Sequence, residues 1–226
     1  TDAIIDAVLT RRADTVAAFI SKEMIQKFTT ETPSPAYVQA VATAFRDSGW
    51  DIKEMVRTIL TWVDPNTQTV EFLKPENQRS MHKEPVEYMI GAIRAVNAKM
   101  KDEATLSWTY DMGQLAYWPP SVFSFYPPGN RGALVSTGYV LIRDRVADFY
   151  VRGFNKTFFV ADKLIAKFHL LTPEDAVAFV EQKFLAYPIS EPNRTTLLNY
   201  MEGRVDEEKL EGLIWAVMCS PDYHRD

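Results

Sequence analysis

The stretch DIKEMVRTILTWV, residues 51–63, decides the fold class, because its apolar residues recur at the period of an α-helix. The apolar stripe consists of Ile52, Met55, Val56, Ile59, Leu60 and Val63. A period near 3.6 residues places these side chains on one helix face. Asp51, with Glu54 three residues later, resembles the capping box that marks a helix start. The stretch is therefore predicted to be an amphipathic helix with one buried face.

The same spacing recurs on both sides of this stretch. The residues predicted to face inward on an early helix are Val16, Phe19, Ile20, Ile25 and Phe28, and those on the last helix are Leu210, Leu213, Ile214, Val217 and Met218. Helix starts are predicted at Ser34-Pro35, at Pro85 and at Thr172-Pro173. Strand alternation is weak, and only Thr67–Phe72 and Asn155–Val160 are candidate strands. The sequence predicts an all-α, irregular multi-helix domain of about nine or ten helices.

The bulk composition is typical of a globular protein and excludes some classes of partner. The chain has 226 residues, of which 46% are hydrophobic and 24% charged, and it is predicted to form a single helical domain over residues 1–226. A net charge of −5 without a long basic run argues against nucleic acid and against an anionic membrane surface. No apolar run reaches the roughly 18 residues of a spanning helix. Because the chain begins at Thr1, we expect a processed or cut start.

Few residue patterns suggest chemistry. His82 lies near Glu84 and Glu87, but the two carboxylates also fit a first helical turn, where they favour the helix dipole. We therefore predict no metal site and no cofactor. Cys219 is the only cysteine, so no internal disulfide can form, and its apolar helix predicts a buried, inert thiol. No nucleophile elbow or glycine-rich phosphate loop is present, and whether the chain is an enzyme stays open.

One segment, MGQLAYWPPSVFSFYPPGN at residues 112–130, is predicted to be a long loop rich in aromatic residues and proline. Its prolines are not tolerated in the interior of a helix, and Gly113 is expected to permit the turn out of the preceding helix. The candidate binding residues are Tyr117, Trp118, Phe123, Phe125 and Tyr126. They could stack on sugar rings or anchor a partner protein. The preferred alternative is that Trp118, with Phe123 or Phe125, is buried against the helices, while Gln114 bonds the loop backbone.

Several motifs in the chain resemble those of a known family. They are TVAAFISK at 15–22, AFRDSGWDIK at 44–53, RTILT at 57–61, KEPVEY at 83–88, MGQL at 112–115 with PPSVF at 119–123, and SPDY at 220–223. Their order and rough spacing resemble the C-terminal part of the bacterial domain-of-unknown-function 1800 family. The segment WVDP at 62–65 departs from the family's usual S-P-E-F. The resemblance implies a mostly helical, often exported bacterial protein, and hence a periplasmic or envelope-associated location. It implies no established activity.

These observations support three hypotheses about function. The leading hypothesis is a helical domain of a bacterial, exported protein that acts by protein binding or scaffolding. Its partner would be another protein or its own missing N-terminal portion, and Ala3, Ile4, Ala7 and Val8 are expected to expose an apolar face for that contact. The first alternative is that the chain is part of an enzyme whose catalytic groups lie mainly in a missing N-terminal portion. The second is a carbohydrate-binding surface at the aromatic loop.

Overall fold

A computed structural model describes residues 2–78, 80–99, 102–115, 117–119, 135–152 and 159–225 of the chain. Over these residues the protein has twelve α-helices, one 3-10 helix and no strand. This confirms the all-α prediction, and the number of helices is close to the expected one. The candidate strand Thr67–Phe72 makes only one isolated antiparallel bridge, between Val63 and Val70. The other candidate strand lies largely outside the described residues.

The chain divides into two compact units, the first containing Thr1–Met81 and the second beginning at His82. The α-helices of the first unit are α1 (Asp2–Arg11), α2 (Ala13–Phe28), α3 (Pro35–Asp47), α4 (Ile52–Thr61) and α5 (Pro75–Gln78), with a 3-10 helix at Glu71–Leu73. Its core consists of Ala17, Ile25, Tyr37, Val41, Ala42, Phe45, Met55 and Ile59. The single helical domain expected over residues 1–226 stays a prediction.

Most of the stretch at residues 51–63 forms α4, but the buried face of this helix is narrower than the apolar stripe predicts. Met55 and Ile59 are fully buried, whereas Ile52 and Leu60 at the edges of the stripe are exposed. Asp51 caps the helix by accepting a hydrogen bond from the Lys53 N–H at 2.8 Å. A helix that packs on one side buries only the middle of its apolar stripe.

The inward face predicted for α2 is wrong at two aromatic positions. The buried residues of α2 include Ala17, Ser21 and Ile25, which recur every four residues, while Phe19 and Phe28 are exposed. Phe19 lies two residues from both Ala17 and Ser21, which places it about 200° around the helix from them. Helix α2 contacts α3, and its buried Ala17 and Ile25 belong to the same core as Val41 of α3.

The second unit is built around its last helix. The helices are α6 (Pro85–Ala95), α7 (Asp102–Asp111), α8 (Thr137–Arg152), α9 (Ala161–Phe168), α10 (Pro173–Phe184), α11 (Glu191–Met201) and α12 (Glu207–Cys219). Helix α12 contacts α8, α9, α10 and α11. All five residues predicted to face inward on α12 are buried, which confirms that prediction. Among the described residues, no helix combines the length and the apolar character needed to span a bilayer.

Candidate functional site

The predicted aromatic loop begins with a turn that requires glycine. Gly113 follows the end of α7 with φ at +94°, and its N–H donates to the Tyr110 carbonyl at 2.8 Å. A Cβ at this position would lie 2.8 Å from the Tyr139 hydroxyl oxygen. Both the backbone conformation and the close approach disfavour a side chain at this position. The prediction that Gly113 provides the exit from the helix is confirmed.

Gln114 ties this turn to the start of α6. Its backbone N–H donates to the Thr109 carbonyl at 2.7 Å. Its side-chain Oε1 accepts from the Val86 N–H at 3.0 Å, and its Nε2 donates to the Glu84 carboxylate at 2.8 Å. The side chain therefore satisfies a backbone donor in the first turn of α6. The sequence predicts that Gln114 bonds the loop backbone, because nothing in the sequence indicates that α6 lies beside the loop.

The turn presents two aromatic side chains to solvent. Tyr117 is 100% exposed and Trp118 is 74% exposed. The expectation that Trp118 is buried is therefore wrong. The Trp118 N–H donates to the Leu115 carbonyl at 3.0 Å, and Tyr117 adopts φ of +63°, so the turn closes on its own backbone. The other candidate residues, Phe123, Phe125 and Tyr126, lie outside the described residues.

An aromatic groove runs between α7 and α8 in the same unit. It has a volume of about 330 Å³, and its lining residues are Trp108, Asp111, Ile142, Arg145, Val146 and Phe149. The Trp108 and Phe149 rings meet edge to face, with centroids 5.3 Å apart. Asp111 and Arg145 are exposed and add one charge of each sign. The groove can therefore accept an apolar group beside a charged one. The sequence analysis missed this groove, because its two aromatic walls come from different helices.

Two of the motifs quoted for the family resemblance, KEPVEY and SPDY, meet in a buried polar cluster around the start of α6. The Tyr223 hydroxyl donates to the Tyr88 carbonyl at 2.6 Å, and the Lys83 ammonium lies 4.1 Å from the centroid of the Tyr223 ring. Arg143, which is fully buried, donates to the Lys83 carbonyl at 2.6 Å. The Lys83 N–H donates to the His224 carbonyl at 2.8 Å. These contacts fix the C-terminal segment on α6, and their burial indicates a structural role.

His224 is an uncharged member of this cluster. Burial lowers the pKa of His224 from 6.5 to about 4, with further lowering by Arg143, Lys83 and His82. The imidazole Nε2 lies 3.1 Å from the Met218 carbonyl and donates to it in the neutral form. The structure therefore holds a neutral histidine among three cationic or potentially cationic side chains. Protonation of His224 would oppose the fold.

The acidic residues near His82 cap a helix. Glu84 is the N-cap residue of α6, and its N–H donates to the Glu87 carboxylate at 2.7 Å. This confirms the first-turn interpretation of the two glutamates. Among the residues that the structure describes, no three His, Cys, Asp or Glu side chains are grouped so that they could hold a metal ion.

The single thiol belongs to α12. Cys219 is half-buried, whereas the sequence predicts a buried thiol. Burial, together with Asp144, raises the pKa of Cys219 to about 12. The thiol therefore stays protonated at neutral pH, as an inert cysteine does.

A second candidate surface lies on α1 in the first unit. None of the ten residues of this helix is buried. Ile4 is 71%, Ile5 is 51% and Val8 is 45% exposed. The expectation that the start of the chain exposes an apolar face is confirmed. We refer to Ile4, Ile5 and Val8 as the α1 face.

Comparison with known proteins identifies a family. A family model described as "Protein of unknown function (DUF1800)" matches residues 1–225. No curated protein and no solved structure matches significantly. The matched residues include both units, so the α1 face and the aromatic groove both fall within the region of similarity.

Proposed function

We propose that this chain, which belongs to the DUF1800 family, is a binding module that recognises another protein through the α1 face. The observation that carries the proposal is α1 itself, because none of its ten residues is buried and Ile4, Ile5 and Val8 are exposed. We also propose, from the family resemblance alone, that the protein is bacterial and exported.

The free energy gained by burying the α1 face favours binding of a partner protein. Short helices are marginal in water, and in proteins their stability comes mainly from packing an amphipathic face. Full burial of an Ile or Val side chain contributes about 1.5–3 kcal/mol. Three such side chains on one helix therefore offer substantial binding energy. Contiguous apolar patches of this kind are typical of protein interaction sites.

A site-specific crosslinking experiment tests this proposal. The photoreactive amino acid p-benzoylphenylalanine would replace Val8 in the full chain, inside the cells that produce it. The matched control is Thr10, an exposed residue of the same helix that lies about 200° around it from Val8. We expect a covalent protein adduct from position 8 and none from position 10. Equal labelling at the two positions, or none at either, would contradict the proposal.

The exposed turn after α7 supports a second candidate function, carbohydrate binding. Tyr117 and Trp118 present aromatic faces to solvent beside each other in sequence. Aromatic faces exposed in this way are suited to stack on sugar rings. Titration with a panel of oligosaccharides, followed by calorimetry, tests this candidate. Binding that is present in the parent and absent in Trp118→Ala would support it, and binding that survives in Trp118→Ala would contradict it.

A further inference from the structure

The groove between α7 and α8 combines an apolar base with two opposite charges. Val146 is buried and Ile142 and Trp108 are half-buried, so apolar side chains line its deeper part. Asp111 of α7 and Arg145 of α8 also line the groove, and both are exposed. Neither charged side chain forms an ion pair or a hydrogen bond with another residue that the structure describes. The groove therefore offers one carboxylate and one guanidinium to a ligand.

Helices α7 and α8 run in opposite directions along the groove. At one end, the rings of Trp108 and Phe149 are in contact, with centroids 5.3 Å apart. At the other end, Gly113 lies against Tyr139, because a Cβ on this glycine would be 2.9 Å from the Tyr139 Cζ. The chain thus advances from Trp108 to Gly113 on one side of the groove and from Tyr139 to Phe149 on the other, in opposite senses.

The two charges lie at the same end of the aromatic pair. Asp111 comes three residues after Trp108, which is about 4.5 Å along the axis of α7. Arg145 comes four residues before Phe149, which is about 6 Å along the axis of α8. Because the helices are antiparallel, both displacements point the same way. Asp111 and Arg145 are therefore within about one helical turn of each other along the groove.

Both charges also lie on the solvent side of their helices. Consecutive residues are about 100° apart around a helix. Met112, which follows Asp111, is fully buried, and Val146, which follows Arg145, is buried as well. Asp111 and Arg145 therefore form the two outer edges of the groove, one on each helix.

We infer that the groove between α7 and α8 binds a free α-amino acid with a large apolar side chain. The ligand's side chain lies against Trp108, Ile142 and Phe149, its ammonium group binds Asp111, and its carboxylate binds Arg145. A free amino acid carries these three groups on one carbon atom, whereas a residue inside a peptide chain lacks both charges. The volume of about 330 Å³ is near the lower end of the range for small-molecule sites. The inference goes beyond the protein-binding function of the α1 face and does not depend on it.

The groove is open to solvent, and this sets the expected strength. A ligand of this size in a partly exposed site should bind with a dissociation constant on the order of 1 mM. Contacts between exposed charges contribute little, so each charge should improve the affinity by about fivefold. Added salt should weaken binding, because exposed charges are screened.

A ligand series tests the inference by nuclear magnetic resonance titration of the full chain. L-phenylalanine is compared with phenethylamine, which lacks the carboxylate, and with hydrocinnamate, which lacks the ammonium group. Glycine is the control without an apolar side chain. We expect L-phenylalanine to bind about fivefold more tightly than either singly charged analogue, and glycine not to bind measurably. Equal affinities for the three aromatic compounds would overturn the inference, and so would no binding of L-phenylalanine up to its solubility.

Two variants assign each ligand charge to its protein partner. In Asp111→Asn, L-phenylalanine and hydrocinnamate should bind equally, because the carboxylate that favours the ammonium group is gone. In Arg145→Gln, L-phenylalanine and phenethylamine should bind equally. The matched controls are Glu103→Gln on α7 and Arg152→Gln on α8, which change exposed residues that do not line the groove and should keep the parent's preferences. Preferences that survive in Asp111→Asn or Arg145→Gln would overturn the assignment of the charges.

The indole N–H signal of Trp108 places the ligand in the groove. This signal can be assigned in isotope-labelled protein by its loss in Trp108→Phe. We expect it to shift as L-phenylalanine is added, with the same dissociation constant as the ligand's own signals report. Binding that leaves the Trp108 signal unmoved would place the site elsewhere and overturn the inference.

Discussion

Lowering the pH from neutral to about 4 is expected to destabilise the second unit through His224. This side chain is 6% exposed and faces Arg143, Lys83 and His82. Burial and these neighbours lower the pKa of His224 in the folded protein to about 4, whereas the unfolded chain should keep the usual value of 6.5. Between these two values the unfolded chain binds a proton that the folded protein does not, so acid favours unfolding.

The magnitude follows from the two pKa values. A drop in pKa from 6.5 to about 4 corresponds to about 3 kcal/mol of folding free energy. This contribution is fully present above pH 6.5, decreases as the pH falls toward 4, and is lost below it. A typical domain has only about 5–15 kcal/mol of stability in total, so the effect should be easy to measure.

Urea unfolding followed by circular dichroism at a series of pH values measures the effect. Other groups also titrate in this range, so the informative quantity is the difference between the parent and His224→Gln. A glutamine amide can still donate to the Met218 carbonyl, and it does not titrate. The control is His169→Gln, because His169 is exposed at the end of α9. We expect the acid-dependent loss to shrink in His224→Gln and to persist in His169→Gln. Identical pH profiles for the parent and His224→Gln would refute this account of the cluster.

Three further predictions concern stability, measured by the same urea titration at neutral pH. Trp118→Ala should change the free energy of unfolding by less than about 0.5 kcal/mol, because the indole is 74% exposed, and a loss of several kcal/mol would contradict that exposure. Gly113→Ala should cost about 1–2 kcal/mol, since alanine is strained at positive φ and would meet Tyr139. The control is Gly138→Ala in α8, where a Cβ would meet no other atom, so this change should leave the free energy of unfolding unchanged or raise it. An equal loss of stability in both variants would contradict the claim that the turn after α7 requires glycine. Tyr223→Phe removes a buried hydrogen bond of 2.6 Å and should cost about 1 kcal/mol, whereas an unchanged midpoint would show that this bond contributes nothing.

The helix starts and the last helix could be predicted from the sequence because their causes are local. Thr172 accepts a hydrogen bond from the Asp175 N–H at 3.1 Å, three residues away, and the capping box at Thr172 and Asp175 was visible as a start signal. Glu84 and Glu87 form the corresponding pair at the start of α6. On α12 every predicted inward residue is buried, because neighbouring helices contact it on several sides.

The candidate site could be predicted only in part. The sequence indicated an exposed apolar face on α1 and a glycine turn after α7, and both are present. The hydrogen bond between Gln114 and Val86 could not be predicted, because Gln114 follows α7 and Val86 lies at the start of a different helix, α6. The groove between Trp108 and Phe149 was missed for the same reason.

The sequence by itself determined that this chain is helical, where the most strongly capped helices begin, and that the chain belongs to the DUF1800 family. Tertiary structure alone decided which side of α2 is buried, that Trp118 faces solvent, and that His224 is held neutral. The physical reason is the range of the interactions. Helix formation and capping depend on residues three or four positions apart. Burial and pKa depend on neighbours from distant elements, such as Arg143 beside His224, whose positions no local pattern specifies.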